Sequence, residues 1–114
     1  MTERDRSLLE DMRAFARDAV EFLGERDAAD LLADKRTQYA VIRAVELVGE
    51  AASKVSADTR TSAPDLPWRE AIGTRNILIH AYHELDLRLV VATVREHLPP
   101  LILRLNALLG DEPT

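Results

Sequence analysis

Residues 35–56 read KRTQYAVIRAVELVGEAASKVS, and in them Val41, Val45, Val48, Ala52 and Val55 follow one another at steps of four, three, four and three. Side chains at that spacing fall on one face of an α-helix, whose turn takes 3.6 residues. Ile42 and Leu47 widen the stripe. The stretch is rich in β-branched residues, which suit strands, but a half-buried strand needs strict alternation and none is present. The period therefore decides for a helix from Lys35 to about Ser56.

Working outward, Leu8, Met12, Phe15, Ala16, Ala19, Val20, Phe22 and Leu23 recur at three- and four-residue steps. They predict an amphipathic helix from Glu3 to Leu23, capped by Gly24. Prolines stand only at 64, 67, 99, 100 and 113, and glycines only at 24, 49, 73 and 110, so the first 63 residues carry almost no helix breaker. Asp27 to Asp34, DAADLLAD, reads as a short helical turn or an extension into the next helix. Downstream, SADTRTSAPDLP at 56–67 collects Ser, Thr, Asp and Pro and reads as the clearest loop. Pro67 suits the first position of a third helix, where its missing N–H costs nothing, and that helix is expected to run to about His80. A break at His83 to Asp86 follows, with Asp86 as N-cap of a fourth helix carrying Leu87, Val90, Val91, Val94 and Leu98. Pro99-Pro100 is expected to end or kink it, leaving LILRLNALL as a fifth helix up to Gly110 and residues 111–114 as a frayed tail. Nothing reads as a strand. The expected fold is all-α, a single domain over 1–114 built as an antiparallel bundle of four long helices with a short fifth.

A chain of 114 residues buries about two-thirds of its unfolded surface, enough for one core and too little for two. Fifteen Lys and Arg against twenty Asp and Glu give a net charge of −5. Affinity for a phosphate backbone comes largely from cationic neutralisation, so that balance speaks against a protein that coats nucleic acid. The acidity is local, however. Residues 1–34 hold five Arg and ten acidic residues, and residues 35–114 hold ten of each sign. The segment from Arg75 to Arg104 carries four Arg against Glu84, Asp86 and Glu96, so a narrow cationic cleft remains compatible with the total. The absence of cysteine excludes disulfide scaffolds, thiolate zinc sites and cysteine nucleophiles, and makes a cytoplasmic location the default expectation. The opening MTERDRSLLEDMRAF lacks the apolar core of a signal peptide, and no apolar run approaches the ~20 residues that span a bilayer, so no membrane association is expected.

Chemistry-bearing residues crowd into RNILIHAY, Arg75 to Tyr82. On a helix Asn76 and His80 share a face, as do Arg75 and Tyr82. Arg75 and His80, five residues apart, point about 140° away from each other. Either the helix distorts near its end, or Arg75 reaches round, or the two groups meet counterparts on a second subunit. His80 and His83 with Glu84 and Asp86 lack the remaining ligand geometry of a zinc site, so no metal and no cofactor is expected.

The pattern Arg75-x4-His80-x-Tyr82 resembles the signature of the HEPN superfamily, and PWREAIGTRNILIHAYHELDLRLV at 67–90 resembles its HepT-type toxins. RAVELVGEAASKV, Arg43 to Val55, is similar to the second-helix segment of the same toxins, with Gly49-Glu50-Ala51 at its centre. The resemblance covers about residues 8–109. It implies a metal-independent endoribonuclease acting as a symmetric homodimer, with Arg75 and His80 of both subunits lining one cleft. Histidine titrates near neutrality and can move the protons of 2′-hydroxyl attack, while a permanently charged guanidinium suits the pentavalent phosphate. Asn76 would orient one of the pair or contact the RNA, and Glu50 would brace the site. The resemblance further implies a toxin-antitoxin pair, in which a minimal nucleotidyltransferase antitoxin of the MntA type transfers AMP to Tyr82 and blocks the cleft with bulk and negative charge.

Plainer readings stand beside these. Cations at a helix end interact favourably with the helix dipole, and Tyr82 can be an amphipathic core-edge residue. Glu46 and Glu50, four apart, can be a solvated pair separated by Arg43 or Lys54. Trp68 reads as a core anchor, and Arg88 and Arg95 as one exposed stripe that can hold RNA or face solvent. The alternative function is a non-catalytic HEPN-like helical module that binds a nucleotidyltransferase or a nucleotide.

Overall fold

In the computed structural model, which describes residues 1–77 and 84–110 apart from the side chains of 75–77, 84 and 85, each of the first four helices starts on a residue that caps it. Thr2 Oγ1 accepts the Asp5 amide at 3.0 Å ahead of α1, Glu3–Leu23. Asp27 and Asp30 form a reciprocal capping box on α2, Ala28–Ala33. Asp34 accepts from the Thr37 amide and hydroxyl at the start of α3, Lys35–Lys54. Ser56 Oγ accepts the Thr59 amide ahead of α4, Ala57–Ser62. These caps satisfy amide donors that no intrahelical carbonyl can reach. At the far end of α1 the chain turns out through Gly24 at φ 56°, where a side chain would be strained.

The helix α4 corrects the expectation of a loop over 56–67. Six residues cannot display a hydrophobic period, and so short a helix is not stable alone. A contact from α1 fixes it. Asp5, only 1% exposed, accepts the Ser56 amide at 3.1 Å, the Ser56 hydroxyl at 2.5 Å and the Thr59 hydroxyl at 2.6 Å. Those bonds, the Ser56 hydroxyl foremost, hold the Asp5 carboxyl below its ordinary 3.8, at about 2.

Next come α5, Trp68–Ile77, and α6, Glu84–Ala92. The Pro67 carbonyl accepts the Ala71 amide at 2.9 Å, which sets Pro67 one residue ahead of α5. Trp68 is the expected anchor, partly buried, with Nε1 donating to the Ala63 carbonyl at 3.0 Å. The expected end of this helix at His80 lies outside the described residues. Asp86 is not an N-cap but the third residue of α6, because Glu84 and Leu85 are themselves good helix formers and take the first turn.

Pro99-Pro100 does not end the last helix. The chain passes from α6 through a π-helical turn, Thr93–His97, into α7, Leu98–Leu109, with the prolines in its first turn. A proline inside a helix loses its amide bond and its ring presses on the carbonyl four residues back, here those of Arg95 and Glu96. The wider turn relieves this, with the Leu98 amide bonding to the Thr93 carbonyl. The Thr93 hydroxyl also bonds back to the Leu89 carbonyl at 2.9 Å, a contact that bends helices. The long-helix expectation is thus met by α1 and α3, while the remaining helices are shorter or interrupted.

Every described element is helical, and the all-α class holds. Helix α3 lies against both α1 and α5, α1 against α7, and α2 against α6. Val41, Val45, Val48, Ala52 and Val55 are all buried, as their spacing requires. On α1 the buried line is Leu9, Met12, Ala16, Ala19 and Leu23, so Leu9 joins the core and Phe22, 39% exposed, leaves it. Arginines of α1 close the C-terminal end of α7. Arg6 donates to the Leu109 carbonyl and buried Arg13 to the Gly110 carbonyl, while Arg13 and Arg17 both reach Asn106 Oδ1. Cations are favoured there by the helix dipole. Residues 111–114, expected as a frayed tail, lie outside the described residues.

Candidate active site

Helix α5 carries the start of the sequence constellation. Its buried residues Ala71 and Thr74 face inward, and the Thr74 hydroxyl donates to the Ala71 carbonyl at 2.7 Å. Arg75 and Asn76 follow Thr74 in the last described turn, with their side chains outside the description. His80 and Tyr82 lie in the undescribed stretch before α6. The chain therefore brings Arg75 and Asn76 onto one helix end, and neither their distance to His80 nor the position of Tyr82 is among the described geometry.

Helix α3 packs against α5 and carries Glu50. Arg43 stands between Glu46 and Glu50 as expected. Its Nη1 pairs with Glu46 Oε1 and lies 3.7 Å from Glu50 Oε1, so one guanidinium neutralises two carboxylates that would otherwise repel. All three side chains are partly exposed, which keeps the pairing weak and leaves Glu50 accessible.

The reading of Arg88 and Arg95 as one stripe changes. The π turn begins between them and shifts the phase of the helix face. Arg95 is engaged with the Gly24 and Arg26 carbonyls, tying the π turn to the connection between α1 and α2. Among the described residues, no cluster of three or more His, Asp or Glu is placed to hold a metal ion, and the set considered around His80 and His83 lies mostly outside them. No helix among them is long and apolar enough to cross a membrane.

Two features were not legible in the sequence. One is the Asp5 network, since Asp5 reads as one more acidic residue on an exposed first turn. The other is a groove of about 530 Å³ between α5 and the π turn with the start of α7. Glu70, Gly73 and Thr74 form one wall, and Thr93, His97 and Arg104 stand on the other. The two walls lie on separate elements, α5 and the run through the π turn, which has no clear sequence signal beyond the two prolines.

The sequence of residues 12–108 matches a family of ribonucleases described as Ribonuclease HepT-like. The chain belongs to the HepT-like ribonuclease family. It is accordingly an enzyme of the ribonuclease class. A Methanocaldococcus jannaschii protein named as an RNase is 40% identical over 100 residues, covering 87% of this chain and 92% of its own length. A Thermococcus cleftensis protein named as a ribonuclease HepT is 41% identical over 101 residues, 89% of this chain and 92% of its own. A second M. jannaschii protein named as an RNase aligns over 97% of both chains at 31% identity. No solved structure matches the chain. The HepT-like match spans α1 from Met12 through α7 and so takes in both Glu50 and the stretch from Arg75 to Tyr82.

Proposed function

We propose that this HepT-like ribonuclease is a metal-independent endoribonuclease toxin that works as a homodimer in the cytoplasm, with the whole chain forming one domain. The observation that carries the reading is the Arg75-x4-His80-x-Tyr82 pattern inside a family match that covers residues 12–108. In this reading the 2′-hydroxyl of the RNA attacks its own phosphodiester. His80 takes part in the proton transfers, as base for the 2′-hydroxyl or acid for the departing 5′-oxygen, and two subunits supply two such groups. Arg75 places a fixed positive charge on the pentavalent phosphate. Asn76 orients one of the pair or binds the strand. Glu50, on the helix that packs against α5, braces the site. Pairing two subunits also answers the divergence of Arg75 and His80 on a single helix.

Control is assigned to Tyr82, two residues beyond His80. A nucleotidyltransferase antitoxin of the MntA type transfers AMP from ATP to its hydroxyl with release of pyrophosphate, and the added phosphate excludes the RNA phosphate from the cleft. The test is RNA cleavage and growth arrest on expression of the chain alone. General acid–base and electrostatic contributions of ~10²-fold or more each are expected to vanish in His80→Ala and Arg75→Ala, with helicity and melting temperature retained. Cleavage undiminished in His80→Ala overturns the assignment. Intact-mass spectra after incubation with the antitoxin and ATP are expected to gain adenylate on the wild type and none on Tyr82→Phe.

A further inference from the structure

We propose that the groove between α5 and the π turn is a nucleobase subsite, which takes an amine-bearing base of the RNA strand, guanine above all, beside the phosphate that is cut. The inference rests on the ribonuclease reading above. The groove adjoins the proposed chemistry along α5, because Gly73 and Thr74 in its wall immediately precede Arg75. A volume of about 530 Å³ lies in the range of small-molecule sites and admits a base with its sugar.

The groove's hydrogen-bonding character selects the ligand. On its two walls Thr74 and Thr93 are buried, and both hydroxyl protons are already committed, to the Ala71 carbonyl at 2.7 Å and the Leu89 carbonyl at 2.9 Å. Each hydroxyl oxygen therefore faces an occupant as an acceptor. Glu70 and Glu96 add two carboxylates, which only accept. Two lining side chains donate, His97 beside Glu96 on the π turn and Arg104 on α7, against the four that accept. An acceptor-rich slot requires a ligand edge that donates. Guanine offers adjacent imino and amino N–H groups that one carboxylate can accept together, adenine and cytosine offer an exocyclic amine, and uracil offers a single imino N–H between two carbonyls. Pro67, Pro100 and the half-exposed Leu89 supply apolar surface for the face of a flat ring. Negative carboxylates repel phosphate, so the backbone passes outside, along Arg104 and His97.

Gly73 is the second, independent observation. Glycine inside a helix is destabilising and calls for a packing reason. Among the described residues, a Cβ at 73 would meet nothing within 4 Å. None of the described elements packs against the bare position, and it keeps one wall of the groove open. The π turn points the same way, since such turns are rare and concentrate at functional sites, and this one carries Glu96 and His97. An apolar partner helix laid in the same slot would leave the four acceptors unmatched.

The test titrates guanosine and uridine 5′-monophosphates into the full-length Arg75→Ala protein and compares it with versions also carrying Gly73→Leu or Glu96→Gln. Guanosine monophosphate is expected to bind ~10-fold or more tightly than uridine monophosphate. Either added substitution is expected to erase that preference without lowering the melting temperature. Gly73→Ala, which adds a single carbon, controls for folding. Equal binding of the two nucleotides, or a preference untouched by Gly73→Leu, overturns the proposal. So does a Gly73→Leu protein that keeps its nucleotide preference but loses a basic protein partner on co-purification. If His80→Ala still cuts RNA while guanosine monophosphate is discriminated, the catalytic reading fails and the subsite stands. If wild type and Gly73→Leu cut RNA with the same base preference, the subsite fails and the ribonuclease stands.

Discussion

Helices α1 to α4 and the run from α6 through α7 are built in opposite ways. The first four each begin on a side chain that accepts a free amide, from Thr2 to Ser56. The π turn and α7 continue the helix begun at α6, with no amides left free to cap, and two prolines occupy the first turn of α7. In the first region local chemistry and tertiary contacts agree, and the buried Asp5 joins α1 to α4 with three hydrogen bonds. In the second, regular helix geometry is given up, and the groove opens at that place. The difference teaches that the first half of the chain acts as a frame, while irregularity is concentrated beside the helix that carries Arg75.

The contrast can be broken most forcefully in the core of the frame. Leu9→Ala empties a fully buried position and is expected to cost about 2–5 kcal/mol in denaturant unfolding. Leu89→Ala at the groove, where the side chain is 48% exposed, is expected to stay within about 0.5 kcal/mol. Equal losses at the two sites would erase the distinction between frame and groove.

Acid provides the next test. The Asp5 carboxyl titrates at about 2 in the folded chain against an ordinary 3.8, so its protonation is favoured by unfolding. Its contribution is present in full above pH 4 and is lost as the pH falls through about 2. Asp5→Asn is expected to be less stable than wild type at neutral pH and to show a flatter decline between pH 4 and pH 2. Parallel curves for the two proteins over that window would remove Asp5 from the account of how α4 is held.

The smallest effects have opposite signs. Thr2→Ala removes the cap of α1 and is expected to lower stability by about 1 kcal/mol. Gly73→Ala adds a Cβ to open space in a helix and is expected to raise stability by up to about 1 kcal/mol, read as a higher melting temperature. A destabilised Gly73→Ala would mean that the glycine serves packing and would weaken the case for an occupied groove.

Much of the frame was legible because its signals are short-range. The stripe from Val41 to Val55 and the stop at Gly24 each follow from residues within a few turns. The constellation from Arg75 to Tyr82 was legible as a pattern, although spacing alone leaves Arg75 and His80 diverging. Helix α4 was not, since Ser, Thr and Asp serve equally in loops and at caps, and what selects the helix is Asp5, fifty-one residues earlier than Ser56. The π turn was not, because the same two prolines are compatible with a stop, a kink or a widened turn.

By itself, then, the sequence determined that the chain is all-helical, where its two longest helices lie, which faces they bury, and which residues carry a ribonuclease-like pattern. Those properties depend on periodicity and on caps, which act over one or two turns. Only the tertiary structure decided that α4 is a helix, that Arg95 is engaged with backbone carbonyls near Gly24, and that a groove opens along Gly73. Each of these joins residues far apart in the chain, and a contact between distant residues is set by how the helices pack, to which local spacing is blind.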